Sequence, residues 1–117
     1  MNQSPESHDS DHFSVQVILE GEVAQLLLSG ELDVATVPLL EDHLTAAEAD
    51  GAKTILIDLA LVTFMDSSGL HSFVRAARRA GERGKRLAFA NCPDAVRKVF
   101  ELTGTGALLD GGTFTNT

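Results

Sequence analysis

Apolar and polar residues alternate from Phe13 to Glu20, with Phe13, Val15, Val17 and Leu19 on one side. A period of two predicts a strand with one buried face. Gly21-Glu22 is a short turn, and the apolar run Val23–Ser29 predicts a second strand that closes an antiparallel hairpin. Gly30-Glu31-Leu32-Asp33 breaks that pattern. Val37, Leu40, Leu44 and Ala47 then recur at helical spacing, with Gly51 where a C-terminal cap belongs. Pro38 lacks an N–H and is tolerated only in a first turn, so this helix starts near Ala35 or Thr36.

The run Thr54–Leu59, rich in β-branched and aliphatic residues, suits a central strand. A loop, Ala60–Asp66, leads to a second helix from Ser67 to Glu82. Its predicted apolar stripe is Leu70, Phe73, Val74 and Ala77, and Gly81 and Gly84 end it. Arg86–Ala90 is a further short strand. Pro93-Asp94 opens a third helix with Val96, Val99 and Phe100 inward and Gly104 as its stop, and Ala107–Leu109 adds an edge strand. Strands alternating with helices require crossovers, and right-handed crossovers give a mostly parallel sheet. The expectation is therefore one α/β domain over residues 13–110. It has a mixed, mostly parallel sheet, an N-terminal hairpin and about three to four packed helices. Residues 1–12 read as a disordered acidic tail and residues 111–117 as a frayed one.

Composition narrows the classes of function. Hydrophobic residues make up 44% of the 117, and the aromatics are six Phe, so the core is aliphatic. The net charge of −8 is unevenly placed: residues 1–52 hold 11 acids and no Lys or Arg, whereas residues 53–117 hold 6 acids and 9 bases. Such a chain is a poor match to a phosphate backbone, so nucleic acid is not an expected partner. Cys92 is the single cysteine and forms no internal disulfide, which suits a reducing cytosol. No apolar run approaches the ~20 residues of a membrane span. The opening MNQSPESHDSDH lacks the regions of a signal peptide, so a cytoplasmic location is expected.

The chemistry concentrates at Phe64-Met65-Asp66-Ser67-Ser68-Gly69-Leu70, where a loop opens the second helix. On one reading Ser67 is an N-cap and Asp66 an acid at the positive helix end. On the other, Ser67 is an accessible hydroxyl. A phosphate there meets backbone N–H groups and adds about −1.5 to −2 charge beside Asp66. A helical wheel sets His71, Arg75, Arg78, Arg79 and Ser68 away from the predicted stripe. Arg78, Arg79 and Arg83 read as a solvated face, and Ser68, His71 and Arg75 as candidate partner contacts. Ser67 and His71 are four apart, but no acid is placed to orient the histidine, so a hydrolase is set aside. His8, Asp9, Asp11 and His12 lie in the tail, where no fold preorganises a metal site. No nucleotide-binding glycine motif is present. No cofactor and no metal are expected.

The segment VTFMDSSGL resembles the signature of the STAS domain, in particular that of bacterial anti-sigma factor antagonists. Gly30-Glu31-Leu32-Asp33, the ILIDL ahead of the motif and Val99–Gly104 resemble the same family, so the likeness spans about residues 13–110. It implies a regulatory protein and not an enzyme. The serine after the aspartate, here Ser67, is the one phosphorylated by an anti-sigma factor that is itself a serine kinase. The unphosphorylated form binds that anti-sigma factor and frees the sigma factor, and a PP2C-type phosphatase restores it. Asp33, Asp66, Ser67, Ser68, Gly69, His71 and Arg75 are the implied partner-binding residues, in a monomer or weak dimer. The alternative is a STAS module that is not phosphorylated and serves a larger assembly of the stressosome or lipid-transport kind. His71 and Thr105 stand where the family often has Gly and Leu.

Overall fold

A computed structural model describes residues 7–9 and 12–110. β2 (Phe13–Glu20) and β3 (Val23–Leu32) form the expected hairpin, with Phe13 opposite Gly30 and Glu20 opposite Val23. α1 (Val37–Ala49) crosses over to β4 (Thr54–Met65), which pairs parallel to β3. α2 (Ser67–Glu82) crosses over to β5 (Arg86–Ala90), parallel to β4. α3 (Asp94–Leu102) and a 3₁₀ turn (Gly106–Asp110) follow. With β1 (Ser7–Asp9) antiparallel to β2, the sheet has five strands in the order β1-β2-β3-β4-β5.

One face of the sheet carries the core. Register places Ala24, Leu26, Ile55, Ile57 and Phe89 on that face. They meet Leu40 and Leu44 of α1, Leu70 and Phe73 of α2, and Val96 and Phe100 of α3. Phe73, Phe89 and Phe100 form one aromatic cluster, with centroids 5.1–6.3 Å apart. The opposite face presents Gln25, Leu27, Leu56, Asp58 and Ala88, which stand outside this core.

Four features depart from the sequence reading. Both central strands run further than their β-propensity suggests: β3 continues to Leu32 and β4 through the expected loop to Met65. Each extension is stabilised by the other, through Ser29↔Leu61, Gly30↔Val62 and Leu32↔Met65, with two bulges absorbing extra residues of β4. Gly30, at φ +103°, allows this: a Cβ there would sit 2.0 Å from the His12 carbonyl oxygen.

Ser7–Asp9, read as tail, pairs with β2 through Ser7↔Gln16 and Asp9↔Ser14. Backbone pairing at a sheet edge requires no apolar side chains, so composition does not reveal it. The rest of that stretch, and residues 111–117, lie outside the described residues.

Ala107–Leu109 is not an edge strand. Leu108 and Leu109 are both buried, which successive residues of a strand with one open face do not achieve, and the 3₁₀ turn provides it. The buried stripe of α2 is also rotated from the expected one. Gly69, Ser72, Ala76 and Ala80 are buried with Leu70 and Phe73, while Val74 and Ala77 are only half-buried. Small residues let α2 approach its neighbours closely, and a hydropathy pattern underweights them.

Candidate functional site

The C-terminal ends of β3 and β4 lie side by side, and each leads to a helix through a turn that holds an aspartate, Asp33 in the loop before α1 and Asp66 at the N-cap of α2. At the end of β3, Asp33 Oδ1 accepts from the N–H groups of Ala35 (3.0 Å) and Thr36 (3.2 Å). Thr36 Oγ1 in turn accepts from Asp33 N–H (3.0 Å) and donates to the Glu31 carbonyl (2.9 Å). Thr36 is buried, so its hydroxyl is consumed by the loop it closes. Asp33 is accordingly the organiser of the start of α1.

At the end of β4 the roles are distributed differently. Asp66, and not Ser67, is the N-cap of α2: its Oδ1 accepts from Ser68 N–H at 2.8 Å. Its own N–H donates to the Leu32 carbonyl (3.1 Å), which ties the two strand ends together. The expectation of a Ser67 cap is thereby corrected. A carboxylate reaches the second helical N–H from the residue before the helix and leaves the serine as the first helical residue. Ser67 is exposed, and among the described residues its hydroxyl has no side-chain hydrogen bond. Ser68 is half-buried and His71 is exposed.

Gly69, expected on the docking surface, is buried instead. A Cβ there would lie 2.8 Å from two Leu32 side-chain carbons and 2.9 Å from Met65 Cγ. The glycine is what lets the first turn of α2 sit on the joined strand ends, and it holds Ser67 at the surface.

Down α2 the arginines are less free than the wheel suggests. Glu41 and Glu48 of α1 face them. Arg75 Nη2 lies 3.0 Å from Glu41, whose carboxylate also accepts from Ser72 Oγ. Arg79 grips Glu48 with contacts of 2.9–3.1 Å, and Arg83 approaches it at 3.5 Å. Lys85 Nζ donates to the Glu48 carbonyl oxygen (2.8 Å). Glu48 is 7% exposed, so the solvated-face reading fails for Arg79: this ladder joins α1 to α2. The bond to Glu48 raises the Arg79 pKa above its ordinary value against the opposing effect of burial, so its charge persists over the whole neutral range. Sequence reasoning missed the ladder because Glu48 and Arg79 are 31 residues apart; the signal available was the seven-residue spacing of Glu41 and Glu48 on one helical face.

The structure thus brings Asp33, Asp66, Ser67 and Ser68 to one end of the sheet, buries Gly69 beneath them, and engages Arg75 with α1. Among the described residues no helix is long and apolar enough to cross a membrane. Of the candidate metal ligands, the side chains of His8, Asp9 and Asp11 lie outside the described residues.

Comparison with known proteins accords with this geometry. The anti-sigma-B factor antagonist of Staphylococcus aureus is 33% identical over 98 residues, covering 84% of this chain and 91% of that protein. The anti-sigma factor antagonist SpoIIAA in its unphosphorylated form superimposes with a TM-score of 0.71 at 30% identity, over 81% of this chain and 84% of that one. The Bacillus cell fate determinant SpoIIAA in the phosphorylated form gives 0.66 at 29%, over 81% and 87%. The family model described as "Mlab, STAS domain" matches residues 15–110. On the fold, the joined strand ends and these matches together, the chain belongs to the STAS-domain family.

Proposed function

We propose that this chain is an anti-sigma factor antagonist switched by phosphorylation of Ser67. The observation that carries the reading is the division of labour at the start of α2: Asp66 supplies the cap, and the Ser67 hydroxyl is exposed and uncommitted. The relatives support it, since one is named an anti-sigma-B factor antagonist and another was solved in unphosphorylated and phosphorylated forms. The partner is an anti-sigma factor with serine-kinase activity. Ser67 Oγ attacks the γ-phosphorus of ATP, the bond to the bridging oxygen breaks, ADP leaves and the hydroxyl proton is released. A PP2C-type phosphatase reverses the state by transferring the phosphoryl group to water. The setting is cytoplasmic, where ATP and sigma factors are found.

The energetics of the switch follow from position. A phosphate on the first residue of α2 faces the positive end of the helix, so the fold tolerates it. An interface closed over it must desolvate a dianion beside Asp66, which is costly without a compensating cation. The unmodified form therefore binds and the modified form does not.

The test is phosphate incorporation from ATP by the serine-kinase anti-sigma factors of the source organism, with binding measured in parallel. Ser67→Ala is expected to take no label and still to bind, and Ser68→Ala to take label. Ser67→Asp is expected to fold and to bind more weakly. Label that persists in Ser67→Ala overturns the assignment. A wild-type chain that binds the kinase and never takes label favours the non-phosphorylated interaction module.

A further inference from the structure

The end of the sheet that carries Ser67 is short of cations. Before Arg75 the chain holds a single Lys or Arg, Lys53. That lysine lies at the other end of β4, where its Nζ approaches Glu22 at 3.9 Å. Acids stand nearer to Ser67: Glu31 close to the end of β3, Asp33 just after it, and Asp66 ahead of α2. A phosphate on Ser67 would therefore add charge where the chain is already acidic.

His71 is the exception. Ser67 and His71 both belong to α2, which runs unbroken from Ser67 to Glu82, so they stand four residues apart on one helix. Side chains at that spacing are surface neighbours, with Cβ atoms about 5–6 Å apart. Both residues are exposed, while Leu70 between them is buried, so the pair faces water.

The other charged groups of this region are placed differently. Arg75 is bound to Glu41 of α1 at 3.0 Å and stands about 12 Å of helix beyond Ser67. Arg78 lies nearly a turn further along. Asp66 has its Oδ1 engaged by Ser68 N–H at 2.8 Å. The remaining titratable group at this end is His12, ahead of β2, whose carbonyl accepts from Glu31 N–H at 2.8 Å.

We infer that His71 is the counter-ion of a phosphate on Ser67. The protonated imidazole pairs with the phosphoryl oxygens one turn up the helix, and the net charge that the modification adds therefore depends on pH. This rests on the phosphorylation reading above and adds a regulation of that same site. A serine phosphate loses its second proton near pH 6, and an imidazole ordinarily gives up its proton near pH 6.5. A cation beside the phosphate favours the dianion, so the second ionisation moves to lower pH. As pH rises through the imidazole range the cation is lost and the dianion stays, which makes the start of α2 more negative. A partner closing over it then has more charge to desolvate, so the off state deepens between about pH 6 and pH 7.5. A surface pair offsets only part of two charges, so it grades the switch and does not abolish it.

The test uses the full-length chain with phosphoserine installed at position 67 during translation, so no kinase is needed. The phosphorus resonance is followed by NMR from acid to mildly alkaline pH. The wild-type midpoint is expected about 0.3–0.7 of a pH unit below that of His71→Gln, the size of a surface pair four apart on a helix acting on a dianion. His71→Lys is expected to restore the low midpoint, because a lysine stays charged throughout. His12→Gln is expected to leave it unchanged. The unphosphorylated variants at position 71 are expected to keep the wild-type thermal transition, as exposed substitutions do. Should His71→Gln unfold, His71→Ala, the better helix former, takes its place in the same comparison. Equal midpoints in the wild type and the folded variant overturn the pairing, as does a shift produced by His12→Gln and not by His71→Gln. Either result leaves the phosphorylation reading standing. A wild-type chain that no kinase labels removes that reading first, and this regulation with it.

Discussion

The starts of α1 and α2 are built from the same parts and put them to opposite use. Each follows the end of a parallel strand, and each is preceded by an aspartate whose carboxylate accepts backbone N–H: Asp33 from Ala35 and Thr36 in the loop before α1, and Asp66 from Ser68 at the N-cap of α2. Each also has a hydroxyl residue close behind. In α1 that hydroxyl belongs to Thr36, which is buried and bonded at both ends, to Asp33 N–H and the Glu31 carbonyl. In α2 it belongs to Ser67, which is exposed and has no such bond among the described residues. The lesson concerns spare chemistry. Where the hydroxyl completes the loop, it is structural. Where the aspartate alone caps the helix, the hydroxyl is left exposed and unbonded among the described residues.

The largest expected effect removes the base that both starts share. Phe73 lies against Phe89 and Phe100 under the sheet. Phe73→Ala is expected to cost about 2–5 kcal/mol in chemical denaturation, the range for large-to-small changes in a core. A cost near zero would show that the two helices are not seated on a common core.

The next effect separates the helices from each other. Arg79→Ala leaves the buried Glu48 carboxylate with Arg83 at 3.5 Å as its remaining side-chain partner in the ladder. Hydrogen bonds to buried charged groups are worth about 1.5–3 kcal/mol, so a loss of that size is expected, where a solvated arginine would cost almost nothing. A parallel Glu48→Gln variant measures how much of the effect is charge. If Arg79→Ala is neutral in urea titrations, the ladder is only a surface ornament and the comparison loses its link.

The smallest pair tests the comparison directly. Thr36→Val is expected to cost about 1–3 kcal/mol, the range for leaving buried hydrogen-bonding groups unpaired, here Asp33 N–H and the Glu31 carbonyl. Ser67→Ala is expected to change stability by less than about 0.5 kcal/mol, as an exposed change away from such features does. Equal costs in the same denaturation series would erase the distinction between a committed hydroxyl and a spare one.

The line between what was legible in the chain and what was not runs through particular residues. The span of α2, Ser67–Glu82, was readable because its start is marked by Asp-Ser-Ser and its end by Gly81 and Gly84. These are local signals that act within one turn. The place of Ser67 at the exposed start of α2 was readable, through the motif around it. Its cap assignment was not, since Asp66 and Ser67 both fit the cap and only backbone direction chooses between them. β4 beyond Leu59 looked like a loop because its pairing partner, Glu31–Leu32, lies some thirty residues earlier.

By itself, then, the sequence determined the alternation of strands and helices from Phe13 to Leu102, the bounds of α2 and the place of Ser67 at its start, because periodicity, capping and glycine placement are interactions among near neighbours. Tertiary structure alone decided the Glu48–Arg79 ladder, the burial of Gly69 and the run of β4 on to Met65. Each of those depends on which distant residue a side chain or backbone group meets. A carboxylate reads the same in a sequence whether it faces water or an arginine on the next helix, and only the packing of α1 against α2 tells the two apart.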